Sequence, residues 1–312
     1  MTASTVATPD VGSERRRAPA RRRRPIRRWP GVLFVAPYLV LTLAFGVGPA
    51  IYAIKLSLTD ANGGFAGLSN VRRVVDDFRF VPAVEHVALY IAIWLIAMIV
   101  LIVGLALLVH GLRRRGLSGI LRLLYYVPGA LAGASSVLLW LFMLDPGASP
   151  VGSLLRWLGY SSFTDTLAPG HLPVIFAIIA FWAGAGGWIV VMYGALNNIS
   201  TEIMEAARVD GANAVQTAFH IQLPLLRKWI AYMAVLSIAA GTQLFVEPTL
   251  LSQASNAVVP NDYSLNQLAY QYAFNLNDLN GSAAISVLLL LVALIVSAVF
   301  VARGGLFGTD AS

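Results

Sequence analysis

The 312-residue chain contains no cysteine, which excludes disulfides and thiolate metal sites but leaves the redox compartment open. Charge is also scarce, with Asp, Glu, Lys and Arg at 12% of residues against about 25% in soluble domains. Histidine is limited to His86, His110, His171 and His220, scattered over loops and span ends. No pair of them has ligand spacing, so they read as ordinary interfacial or loop residues and no metal site is expected. There is no Gly-x-x-x-x-Gly-Lys-Ser/Thr, so the chain cannot cradle a nucleotide in a P-loop. Without a Gly-x-Ser-x-Gly elbow or a carboxylate pair inside an apolar segment, hydrolysis by this polypeptide is not expected.

What the chain has in quantity is apolar surface: hydrophobic residues make up 58% and mean hydropathy is +0.73. Near-continuous apolarity covers Val32–Ile54, Val87–Val109, Ile120–Leu144, Leu172–Tyr193, Lys228–Leu250 and Ala283–Val301. Each is about 20 residues or longer, enough to cross a hydrocarbon core of about 30 Å as a helix. Only helices or closed barrels satisfy the backbone in lipid. The expectation is an all-α membrane protein with six transmembrane helices.

Basic residues set the orientation. With a cytoplasmic N-terminus, seventeen of the 22 Lys and Arg fall on inside segments, and nine of the 15 Asp and Glu fall outside. Both termini are then cytoplasmic, in the cell membrane. The run Arg21-Arg22-Arg23-Arg24 and a pI near 9.9 read as a basic tail that fixes topology and touches anionic lipid, with no nucleic-acid partner. The tail is long and the apolar run after it exceeds an h-region, which argues against a cleaved signal peptide. The expected organisation is a tail over residues 1–31, a membrane domain over 32–303 containing a cytoplasmic loop over 194–227, and a second tail over 304–312.

That loop carries the most specific pattern. Ser200 or Thr201 can cap a helix with Glu202 and Glu205 in its first turns, and Gly211 suits a left-handed C-cap. A helix of about residues 201–210 is too short to stand alone in water and must pack on something. Ile203, Met204 and Ala207 form an apolar edge at helical spacing. Ala214–Ile221 looks helical as well, and Pro224 is expected to break the backbone where the next span begins. Read from these residues alone, the loop could equally lie on the membrane surface.

The full spacing, Glu205-Ala206-Ala207-x3-Gly211-x9-Ile221-x-Leu223-Pro224, closely resembles the signature loop of permease subunits in binding-protein-dependent ABC importers. Weaker matches in order along the chain, Phe65-Ala66-Gly67-Leu68-Ser69-Asn70, Pro128, Trp140, Gly152 through Gly159, Tyr270 through Phe274 and Gly281 through Ser286, resemble the carbohydrate branch that includes the maltose and glycerol-phosphate permeases. The resemblance implies the type I ABC importer permease fold. It implies that Glu205, Ala206, Ala207 and Gly211 dock a coupling helix on an ATPase, with Ile221, Leu223 and Pro224 setting the exit into the fifth span. It also implies the partners: a second permease as a probable heterodimer, two ATPase subunits that bind ATP and Mg, and an extracytoplasmic solute-binding protein. No cofactor is expected in this chain itself.

For the solute path, the signature loop serves as an ungapped ruler to the pocket of the maltose permease. Equivalent positions fall at Ala180, Ala183, Gly184, Gly187, Ser237, Ala240, Gly241 and Leu244, of which only Gly184 and Ser237 keep the family residue type. This implies a wider cavity for a bulkier ligand, or recognition by a partner subunit. Gln243, Phe245 and Glu247, with Trp182 and Trp188, supply amide, carboxylate and ring faces of the kind a carbohydrate needs. Either tryptophan taken singly reads rather as a membrane-interface anchor or a helix-packing residue. Small-residue runs at Gly129–Ala134 and Ala183–Gly187 read as close packing or as a flexible gate. The function expected is ATP-driven import of a sugar or sugar derivative delivered by a binding protein. Alternatives are a glycerophosphodiester or peptide permease, a self-sufficient secondary transporter, and a membrane scaffold.

Overall fold

A computed structural model of the protein describes residues 29–111, 115–131 and 133–304. The expected tails over 1–31 and 304–312 lie outside these residues, apart from 29–31 and 304. The chain divides into two compact units, Met1–Pro49 and Ala50–Ser312. The first unit holds most of the first span helix, α1 (Leu33–Ser57).

The described residues are mostly helical, with one isolated bridge between Thr59 and Phe65 in the turn after α1. After α1 come α2 (Ser69–Val75), α3 (Phe80–Gly111), α4 (Gly116–Ala130) and α5 (Gly133–Met143). They continue through α6 (Gly152–Trp157), α7 (Phe163–Thr166), α8 (Pro169–Asn197), α9 (Thr201–Val209) and α10 (Ala214–Gly241). The chain finishes with α11 (Val246–Ala254), α12 (Leu265–Tyr270) and α13 (Leu279–Gly304). Among the described residues five helices, α1, α3, α8, α10 and α13, are long and apolar enough to cross a membrane.

The third expected span, Ile120–Leu144, is not one helix. It is α4 and α5 meeting at 101°. Pro128 lies in a tight 3-10 turn, Val127–Ala130, and Leu131 leaves it in extended conformation; proline removes a backbone donor and clashes with the preceding turn, so the helix stops.

The fifth span also differs from the expected Lys228–Leu250. Helix α10 begins at Ala214 and runs through Pro224 without a break. A π-helical turn at Ala218–Gln222 widens the backbone just where the proline ring would crowd a carbonyl, which accommodates it inside a continuous helix. The helix ends at Gly241, and the carbonyl freed at Thr242 accepts a 2.7 Å hydrogen bond from Asn266 Nδ2. Pro248 sits in the first turn of α11, where a missing N–H costs nothing.

Within the second unit, α8 is central and packs against α3, α4 and α10. Its buried face, including Phe176, Ile179, Ile189 and Met192, meets Met98 and Ile102 of α3 and Leu226 and Met233 of α10. Lipid tails are as apolar as these side chains, so close packing rather than the hydrophobic effect holds such helices together. The two small-residue runs supply that closeness. A Cβ at Gly186 would stand 2.0 Å from the Tyr125 carbonyl oxygen, and one at Gly129 would stand 2.8 Å from that of Ala183. Gly129, Ala183 and Gly186 are thus backbone contacts between α4 and α8. A second cluster joins Val74, Leu268, Tyr272 and Ile285 at the far end of the unit from the α9 loop.

Candidate functional site

The loop between α8 and α10 is built from the short helix α9 and the first turns of α10, each closed by its own caps. The Ile203 N–H donates to Ser200 Oγ at 3.4 Å and starts α9. At its other end the N–H of Ala212 reaches the Ala207 carbonyl at 2.9 Å, and that of Gly211 reaches Arg208 at 3.1 Å. This is the paired closure of a Schellman motif, and it needs the left-handed residue that Gly211 provides at φ +77°. Asn213 and Gln216 then form a reciprocal capping box, with both bonds at 2.9 Å, and open the next helix. Almost every free backbone group in the turn is satisfied locally, so the loop keeps its shape without a partner.

Its outward surface is available. Glu205, Ala206, Gly211 and Pro224 are exposed, Ile221 and Leu223 are half-buried, and Ala207 is buried. Gly211 and Ile221, ten positions apart, come together in one groove of about 380 Å³ with Asp210, Ala212, Gln216 and His220. Leu223 packs on the helical core instead. A Cβ on Gly211 would meet nothing within 4 Å, so the glycine is required by its backbone angle and faces open space. Three residues escaped the sequence reading: Val209, 88% exposed, and Val215 and Phe219, both 64% exposed. The available signal was weak: Val209 ends α9 beyond its Ile203-Met204-Ala207 edge, and Val215 and Phe219 stand among polar residues at the start of α10. A second groove of about 390 Å³, lined by Ala195, Ser200, Ile203, Leu226 and Trp229 among others, lies behind α9.

Neither of the two grooves above is lined by an expected solute-path residue. Ser237, Gly241 and Leu244 are buried, and a Cβ at Gly241 would lie 2.7 Å from Ile91 and 3.2 Å from Trp94. Gly241 is therefore a packing contact between α10 and α3. Gly184 faces Met98 of α3, and Trp182 packs edge-on against Trp140 at 5.9 Å. Ala180 and Ala183 are half-buried, the latter against Gly129. Gly187, Ala240 and Gln243 are exposed, and Glu247 is half-buried just beyond the end of α10.

At that same end a polar frame joins distant parts of the chain. Asn70 Nδ2 donates to the carbonyls of Ser57 and Thr59 at 3.0 and 2.8 Å, and Asn280 Nδ2 donates to those of Leu56 and Thr59 at 2.9 and 2.7 Å. Arg73 pairs with Asp278 at 2.7 Å. Arg79 pairs with Asp77 at 2.7 Å, and the Tyr272 hydroxyl donates to the same carboxylate at 2.6 Å. The Arg79 guanidinium, outweighing burial, holds the Asp77 carboxyl far below the usual carboxylate range, with the Tyr272 hydroxyl assisting. Burial, with the bond to Asp77, pushes the Tyr272 hydroxyl up to about 12.

Residues 11–303 match the family described as the inner membrane component of binding-protein-dependent transport systems. Among curated relatives, the arabinooligosaccharides transport system permease of Halalkalibacterium halodurans is 23% identical over 85% of this chain and 84% of its own. The multiple sugar-binding transport system permease of Streptococcus mutans is 26% identical over 88% and 95%. The sn-glycerol-3-phosphate transport system permease of Escherichia coli is 27% identical over 87% and 92%. A chain from a solved bacterial ABC transporter involved in import of the acidic polysaccharide alginate superimposes with a TM-score of 0.77 at 20% identity, over 89% of this chain and 96% of that one.

Proposed function

Because the chain belongs to the family of inner membrane components of binding-protein-dependent transport systems, we propose that it forms one half of the pore of an ATP-driven importer for a sugar or sugar derivative. The carrying observation is the α9 loop, a self-capped helix pair with Glu205, Ala206 and Gly211 exposed and Val209, Val215 and Phe219 unsheltered beside them. Such a surface is built to receive a partner, and the sequence has no P-loop with which to bind ATP itself. The sugar assignment draws support from the relatives named above.

In this reading the orientation is the one the basic residues dictate, with both termini and the α9 loop in the cytoplasm of a prokaryote. A second permease completes the pore, two ATPase subunits hold ATP and Mg, and an extracytoplasmic binding protein delivers the solute. ATP binding closes the ATPase pair, α9 moves with it as a rigid lever, and the cavity turns from inward-facing to outward-facing. Throwing such a switch nearly completely takes about 5.5 kcal/mol of differential binding between the two states, which an ATPase dimer can supply and an isolated permease cannot. The chain itself carries out no chemistry.

Purification of the assembled complex through this chain, followed by partner identification and a thermal-shift screen of the captured binding protein against sugars, tests the reading. Recovery of an ATPase and a sugar-responsive binding protein is expected. ATP-independent uptake by the isolated chain would overturn it in favour of a secondary transporter.

A further inference from the structure

Three aromatic rings stand in a row where α10 gives way to α11 and where α12 ends. Phe245 lies 5.7 Å from Tyr270, and Tyr270 lies 4.7 Å from Phe274. None is core: Tyr270 is 46% exposed and Phe274 71%, and Phe245 is half-buried. Their alignment is held from behind. Asn266 of α12 bonds Thr242 at the end of α10, and Gln267 of α12 bonds Thr249 of α11 at 3.4 Å. The element carrying Tyr270 is therefore fastened to both elements that flank Phe245.

An exposed aromatic row near a membrane commonly faces lipid, but the flanks of this one are wrong for that. Gln243 precedes Phe245, while Gln271 and Asn275 sit on the same turn as Phe274 and bond each other, leaving amides beside the rings on both sides. Glu247 lies half-buried two residues past Phe245 and forms no ion pair with any described residue. A carboxylate and amides do not line a lipid face without a cavity or partner. Flat apolar rings flanked by hydroxyl-binding amides are instead the complement of a sugar ring, which presents an apolar C–H face and hydroxyls at its edge.

We propose that Phe245, Tyr270 and Phe274 form a stacking path along which a neutral oligosaccharide enters the pore, and that Glu247 at its inner end turns away phosphorylated and acidic glycans. The inference rests on the sugar-import reading. It deepens that reading in two respects: successive rings fit a chain of sugars rather than one, and a carboxylate that has no ion-pair partner among the described residues disfavours an anion by direct repulsion.

The test uses the full complex in proteoliposomes, with its binding protein. Neutral trisaccharides (maltotriose, raffinose and arabinotriose) are compared with glycerol 3-phosphate and a uronate trisaccharide as probes of uptake and of ATPase stimulation. Tyr270→Leu and Phe274→Leu keep apolar bulk but remove the ring face, and should raise KM for the neutral trisaccharide by about threefold to tenfold with an unchanged melting temperature. Phe274→Tyr should restore it. Glu247→Gln should admit a charged probe that the parent excludes. Unchanged KM in both leucine variants, or parental preference for an acidic probe over every neutral one, overturns the path while leaving sugar import standing. A parent complex that imports glycerol 3-phosphate and no glycan at all sinks the sugar reading itself.

Discussion

Two glycines define opposite extremes of what a single residue does here. Gly186 is a site of contact: an added methyl would lie 2.0 Å from a main-chain oxygen, and backbone cannot yield as a flexible side chain does. Gly186→Ala should therefore cost about 1–3 kcal/mol or more through overpacking, read as a lowered melting temperature and a smaller yield of monodisperse protein. Gly211 is a site of conformation. Gly211→Ala meets only the left-handed backbone penalty of about 1–2 kcal/mol, and proteoliposome uptake should stay close to that of the parent. Gly211→Trp, projecting into the open space that the loop reserves for its partner, should abolish uptake with the protein still inserted. Equal activity of the two Gly211 variants would mean that the space is not an interface.

At the scale of elements, the frame around Asp77 ties the α2–α3 turn to the segment between α12 and α13. Removing its charge with Asp77→Asn strands the Arg79 guanidinium and should destabilise by about 1–3 kcal/mol, whereas Tyr272→Phe should cost about 1 kcal/mol; thermal unfolding of the detergent-solubilised protein distinguishes them. The native carboxyl titrates below its ordinary value of 3.8. Its stabilisation is therefore complete above that value and is lost as pH falls through the depressed native one. The parent melting temperature should fall more steeply than that of Asp77→Asn as acid is added below about pH 4; parallel curves would show that Asp77 does not carry the effect.

The elements also separate what the sequence displayed from what it concealed. The α9 loop was legible because its determinants are local: a serine cap and a left-handed glycine lie within a few residues of the bonds they make. The end of the fifth span was not. Thr242 to Phe245 contains no glycine or proline, and the group that satisfies the freed Thr242 carbonyl is Asn266, 24 positions away. Asp77 and Tyr272 are 195 positions apart, beyond any local pattern. Pro224 misled in the other direction, since its signal was real but a π-helical turn absorbed it. The ruler to the solute pocket gave positions along α8 and α10 but carried no information on which face each presents: Gly184 and Gly241 face α3.

For the whole molecule, the central claim is that this chain is an importer's pore half driven from its α9 loop by an ATPase that it does not contain. The most direct measurement is ATP-dependent solute uptake by the assembled complex in proteoliposomes, comparing the parent with Glu205→Lys. Glu205 is exposed on α9, so the charge reversal leaves folding and insertion intact while opposing the partner at the docking face. Normal membrane insertion is expected, with uptake lost and ATP hydrolysis no longer responsive to the loaded binding protein. Full uptake by Glu205→Lys would contradict the central claim.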